Sequence, residues 1–192
     1  MKKTIKWLVT SVLFANGAAI AANTPHIGYA FPAGGQQGQT FDVEIGGQYL
    51  LASTNVFVSG EGVKVKILSS GVRYEPRVVG QLFRRIENAK ASMKGKDGKE
   101  REKFQKQIDR ATKKLQQADL PEGIDPLDKR AVQRYFRVDK KEQFNPQLSD
   151  RLQVRVTIDK KAPAGERELR VYTPAGLSNP ICFQVGTLAE TR

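Results

Sequence analysis

Residues 40–45 read Thr40-Phe41-Asp42-Val43-Glu44-Ile45. Apolar and acidic side chains alternate, so Phe41, Val43 and Ile45 fall on one side of an extended chain. Asp42 and Glu44 fall on the other. A period of two is the mark of a strand with one face buried and one in water. Working outward, Asn55-Val56-Phe57-Val58 is a second run. Ser59-Gly60-Glu61-Gly62 supplies turn chemistry, and Val63, Val65 and Ile67 then alternate with Lys64 and Lys66.

The same period returns at residue 151. Leu152, Val154, Val156 and Ile158 alternate with Arg151, Gln153, Arg155 and Thr157. Leu169 and Val171 follow a turn, and Ile181, Phe183 and Val185 make a last strand. Pro-Ala-Gly occurs at Pro32, Pro163 and Pro174, which reads as a reused turn. Between these zones the period becomes helical. Leu82, Ile86, Ala89 and Met93 fall at steps of 4, 3 and 4, and Phe104, Ile108, Ala111 and Leu115 repeat those steps. Each set makes one apolar stripe. The polar loop 94–99 joins them, so a helical hairpin is predicted, with Glu102–Lys106 and Asp109–Lys113 as supporting i,i+4 pairs. A third helix is predicted to start with Asp125 as N-cap and Pro126 at its first position. It would carry Leu127, Ala131, Tyr135 and Phe136 toward the body.

The expected fold is mainly β: an immunoglobulin-like β-sandwich of about seven strands. It is assembled from 22–75 and 151–186, with 76–150 as a large helical insertion and 187–192 as a tail. The strand-like zones 24–75 and 151–186 hold 88 residues, near the roughly 100 of such a sandwich. An insertion of this size is tolerable in a loop because closure entropy grows slowly with length.

Two stretches carry a resemblance. Pro32-Ala33-Gly34-Gly35 through Gly38-Gln39-Thr40, then Val43-Glu44-Ile45-Gly46-Gly47-Gln48-Tyr49-Leu50, resembles the opening of IPT/TIG-type immunoglobulin-like domains. Residues 162–171, Gly176-Leu177-Ser178-Asn179-Pro180 and Phe183-Gln184-Val185-Gly186 resemble their closing strands. Both ends are also similar to N-terminal modules of large exported bacterial proteins that continue into pre-peptidase C-terminal-type domains. The resemblance implies a binding or structural role, and it brings no catalytic or ligand residues with it.

The N-terminus reads as an export signal. Lys2, Lys3 and Lys6 precede the apolar run 7–15, Asn16-Gly17 breaks it, and Ala19 and Ala21 are the small residues a signal peptidase needs. Cleavage is expected after residue 21. The run is shorter than the roughly 20 apolar residues of a membrane span, and no later segment is apolar enough, so no transmembrane segment is expected after cleavage. The expected location is secreted, periplasmic or at the cell surface. The one cysteine, Cys182, allows no intramolecular disulfide and is expected to be a buried, inert thiol in the last strand.

Chemistry is sparse. With one His and one Cys, a metal centre has no ligand cluster to draw on. His26 would have to serve any nucleophile–histidine pair, and its place near the expected mature N-terminus favours a surface histidine. Gly60-Glu61-Gly62 lacks the third glycine of a dinucleotide loop. Asp42 and Glu44 share a face expected to be solvent-exposed. No catalytic residue, metal or cofactor is therefore assigned.

Charge is more informative. The chain is +12, and losing Lys2, Lys3 and Lys6 leaves +9. Residues 84–118 alone carry 12 basic and 5 acidic residues. The basic set is Arg84, Arg85, Lys90, Lys94, Lys96, Lys99, Arg101, Lys103, Lys106, Arg110, Lys113 and Lys114. Charge focused in this way draws polyanions; it also keeps a helix face solvated. Aromatic residues do not interleave with it as stacking platforms, so sequence-specific nucleic-acid reading is not expected. The leading expectation is an exported, non-enzymatic binding module whose partner is a protein or an anionic envelope polymer. The alternatives are a polyanion-binding protein acting through the basic hairpin, and the non-catalytic N-terminal part of a secreted hydrolase. Oligomeric state is left open.

Overall fold

In the computed structural model, residues 23–137 and 144–188 are described. The export signal at 1–21 and the end of the tail lie outside them. Nine strands and three helices occur among the described residues: β1 (His26–Phe31), β2 (Gly34–Gln36), β3 (Thr40–Gln48), β4 (Asn55–Val58), β5 (Val63–Val72), α1 (Pro76–Met93), α2 (Gly98–Gln116), α3 (Lys129–Tyr135), β6 (Asp150–Ile158), β7 (Gly165–Thr173), β8 (Gly176–Leu177) and β9 (Ile181–Gly186). The protein is mainly β.

The strands form two sheets. One has the order β1-β3-β6-β5 and is antiparallel throughout. The other has the order β2-β9-β7-β4, with β8 also paired to β7 and β2 running parallel to β9. The first strand therefore changes sheets, crossing at the cis Phe31–Pro32 bond. Gly34 permits this approach, because a Cβ there would lie 2.3 Å from the Gln184 carbonyl oxygen. β1 and β2 are not among the strands that the sequence predicts, and with β8 they raise the count among the described residues above seven.

Both sheets contribute to one apolar cluster. Val43, Ile45, Leu152 and Val154 from the first meet Val56, Leu169, Val171 and Phe183 from the second. The Phe41 and Phe183 rings lie parallel with centroids 6.4 Å apart. Full burial of a Val, Leu, Ile or Phe side chain contributes roughly 1.5–3 kcal/mol. The alternation read at 40–45 and 152–158 is the inward face of β3 and β6, which pair directly, Val43 opposite Val154.

The helices interrupt the β5–β6 hairpin. Strand β5 pairs with β6 up to Val72 opposite Asp150. The chain leaves at that point and returns after a 3₁₀ turn at Pro146–Leu148. The helices close an apolar cluster of their own around Val79, Leu82, Ile86, Ala111, Leu115 and Val132. It shares no residue with the sheet cluster. The arm is stitched to the sheet at its root. The Val72 N–H donates to Gln117 O at 2.7 Å, and Asp119 N–H donates to Val72 O at 2.9 Å. The Tyr74 hydroxyl donates to Lys114 O at 3.1 Å. A Cβ at Gly71 would lie 2.6 Å from Asp119 Cα, so this join needs glycine.

Two helical expectations are corrected. The third helix starts at Lys129, because Asp128 caps it by accepting from the N–H groups of Arg130 and Ala131. Asp125 instead accepts from Leu127 N–H and closes a turn. The buried row is Val132 and Phe136, one position on from the predicted Ala131 and Tyr135, and Leu127 and Tyr135 are exposed. The Glu102–Lys106 pair forms at 2.6 Å. Asp109 accepts from Gln105 at 2.8 Å instead of pairing with Lys113. Among the described residues no helix is long and apolar enough to cross a membrane.

Candidate functional site

Helix α2 has an apolar side and a cationic side because its sequence alternates at helical spacing. Ile108, Ala111 and Leu115 are buried against α1, with Phe104 half-buried beside them. Lys99, Lys103, Lys106, Arg110 and Lys114 recur at steps of 4, 3, 4 and 4. Residues three and four apart on a helix are neighbours about 5–6 Å apart, so these cations form a continuous stripe.

Two adjoining hollows of about 360 Å³ each lie along the stripe. One is lined by Leu82, Arg85, Gln107, Arg110, Ala111 and Lys114. The other is lined by Lys99, Glu102, Lys103, Lys106, Gln107 and Arg110. They share Gln107 and Arg110, which makes one trough running along α2 with Arg85 of α1 on its border. Among the described residues Glu102 is the one acid on the lining, held by Lys106, and both side chains are more than 60% exposed. An exposed pair of this kind is worth little and exchanges readily.

All twelve sequence-selected cations are exposed, and the fold sorts them. Arg85, Lys99, Lys103, Lys106, Arg110 and Lys114 border the trough. Arg84, Lys90, Lys94, Lys96, Arg101 and Lys113 do not line it. Lys96 is paired with Glu100 at 2.9 Å. On the same arm Lys129 of α3 reaches Glu87 of α1 at 2.8 Å.

A second polar group was not legible as a unit in the sequence. Glu44 accepts from the Tyr29 hydroxyl at 2.6 Å, from Gln153 Nε2 at 3.1 Å and from the Arg151 guanidinium. That guanidinium lies 5.3 Å from the Tyr29 ring centroid. Two residues away, Asp42 is held by Arg155 through two bonds of 2.7 and 2.9 Å. Both carboxylates are thus committed to arginines across β3 and β6. The signal was present in the opposed Asp42-x-Glu44 and Arg151-x-Gln153-x-Arg155 patterns, but using it requires the strand register.

Other candidates fall as follows. His26 is exposed at the start of β1. Cys182 is exposed, correcting the buried thiol; partial desolvation by its neighbours, then the adjacent Glu166 carboxylate, push its pKa up. It points outward because Ile181, Phe183 and Val185 take the inward positions. Near the root of the arm, burial pushes the Asp119 and Asp150 carboxyls above the ordinary range. Arg73 opposes the shift at Asp119, and the Leu50 N–H, donating at 3.0 Å, opposes it at Asp150. Among the described residues no three His, Cys, Asp or Glu side chains lie together as a metal site.

No family model, curated protein or solved structure matches the chain. The site must be read from its own geometry. What the trough offers is a row of cations around one neutral amide, with Lys106 alone of the six paired among the described residues, to Glu102.

Proposed function

We propose that this is an exported, non-enzymatic binding module in which an immunoglobulin-like sandwich presents a helical arm to its partner. The strand orders favour that scaffold. An immunoglobulin constant-type sandwich has strands A-B-E-D in one sheet and C-F-G in the other. The order β1-β3-β6-β5 corresponds to the first, and β4-β7-β9 to the second. The arm then occupies the D–E connection. The IPT/TIG resemblance of both ends agrees with this scaffold, and the lysine-led apolar N-terminus supports export.

The observation that carries the reading is the arm's separate apolar cluster, joined to the sheets at Val72. A rigid scaffold that holds out a self-supporting loop insertion is a common design for binding. Its partner class is a protein or an anionic component of the cell envelope. Affinity capture from envelope extract, with the intact chain and with residues 84–118 replaced by a short linker, tests this. Retention lost with the arm supports the module; equal retention by both proteins removes the arm as the binding element. Release of a chain beginning near Ala22 into the periplasm or medium tests the export half.

The trough favours a second, narrower reading, that of a polyanion-binding arm.

A further inference from the structure

Resting on the reading of the arm as the binding element, we infer that the α2 trough binds a linear anionic glycan, laid lengthwise along the helix. The cations from Lys99 to Lys114 span about 22 Å at 1.5 Å rise per residue. A repeating polymer can meet several of them at once, where a single small anion would meet one or two. Among the described residues, Arg85, Lys99, Lys103, Arg110 and Lys114 have no acid within ion-pair distance. Their charge is available to a ligand.

The remaining lining selects the polymer. Gln107 lies where the two hollows meet and offers both a donor and an acceptor, which suits sugar hydroxyls. Inorganic polyphosphate has none to offer. Leu82 and Ala111 give one end a small apolar floor suited to the C–H face of a sugar ring. Among the described residues no aromatic side chain lines the trough, and Phe104 packs into the arm's own cluster, so these residues give bases no stacking platform. Insertion into a bilayer needs exposed Trp, Phe or Leu beside the cations. None of the large exposed apolar side chains among the described residues lies within 76–116. A flexible acidic peptide would lose more chain entropy on the stripe than a stiff pyranose chain.

The test is equilibrium binding of the purified chain to a polyuronate oligosaccharide long enough to span the stripe. Inorganic polyphosphate, poly-glutamate, duplex DNA and vesicles of mixed neutral and anionic phospholipid run in parallel. K103Q/R110Q/K114Q removes trough cations, and K90Q/K94Q/K113Q removes the same charge elsewhere on the arm. The expected result is polyuronate binding that weakens at least tenfold between about 50 and 200 mM salt. It falls at least tenfold in the trough variant and stays within about twofold in the control variant. Equal loss in both variants would reduce the site to diffuse charge and overturn the inference. Tighter binding of vesicles, polyphosphate, DNA or poly-glutamate than of polyuronate would overturn it in favour of that ligand, as would no binding of polyuronate at low salt. Envelope capture that needs the arm yet survives K103Q/R110Q/K114Q would sink the trough while leaving the module reading intact.

Discussion

The Val72 carbonyl accepts the Asp119 N–H at 2.9 Å, so the last residue of β5 is paired on one side to β6 and on the other to the exit of α2. One residue thereby ties a local helical hairpin to a non-local sheet. The Gly71 backbone lies close enough to Asp119 that no side chain fits between them.

Gly71→Ala should destabilise the protein by about 1–3 kcal/mol, the range for forced overpacking. The clash is with backbone atoms of Asp119, which cannot swing aside. Urea unfolding measures it, and an unchanged midpoint would refute the tight join.

Asp119 gives the join a pH dependence. Burial raises its folded pKa above the ordinary 3.8. Between the unfolded and folded values, the folded state holds a proton that the unfolded state has released. The stabilisation is full below the unfolded value and is lost as pH rises through the folded one. Asp119→Asn keeps the shape without the charge. It should raise the melting temperature at pH 7, with the gain shrinking toward pH 4. A gain that is constant across that range would show that the carboxyl does not titrate as described.

The Glu44–Arg151 pair should matter more than Asp42–Arg155. Arg151 is only 14% exposed and Glu44 33%, and Tyr29 and Gln153 complete the group. Loss of a hydrogen bond to a charged, part-buried group is worth about 1–3 kcal/mol. Glu44→Ala should show that loss, and a double-mutant cycle with Arg151→Ala should be non-additive. Asp42→Ala, at a solvent-exposed pair, should leave the unfolding midpoint almost unmoved. Equal effects of the two aspartate and glutamate variants would argue against the ranking.

Leu115 is fully buried in the arm's cluster. Leu115→Ala should cost the arm about 2–5 kcal/mol. Because the two apolar clusters share no residue, amide exchange should quicken across 79–132 and stay slow in β3 and β6. Equal quickening in β3 and β6 would mean that the clusters unfold as one.

Cys182 should react with an alkylating reagent in the folded protein, since its side chain is exposed. Its raised pKa leaves less thiolate at neutral pH, so the rate should fall below that of a free cysteine. Mass spectrometry of native and unfolded samples decides it; a native protein that resists labelling would contradict the exposure.

Periodicity told most about the parts where one face meets a core. Phe41-x-Val43-x-Ile45 and Leu152-x-Val154-x-Val156-x-Ile158 marked β3 and β6, and the two 4-3-4 stripes marked α1 and α2. Signals weakened where glycine replaced apolar side chains. Strand β2, Gly34–Gln36, has almost no pattern because its pairing to β9 depends on close backbone approach. The pleat overrides the usual preference of a free thiol for burial at Cys182, because Ile181 and Phe183 take the inward side. For the trough, the sequence supplied the charge and the helix, but it gave twelve candidates where the fold selects six.

The sequence by itself determined the alternating strands, the helical hairpin and its concentration of lysine and arginine, because each depends on spacing between near neighbours. Only the tertiary structure decided that β5 and β6 are partners across the helical arm, that the arm closes its own core, and that Glu44 meets Arg151 while Gly71 meets Asp119. Those contacts join residues far apart in the chain, and their free energy depends on register and burial that exist only once both sheets and the arm are packed.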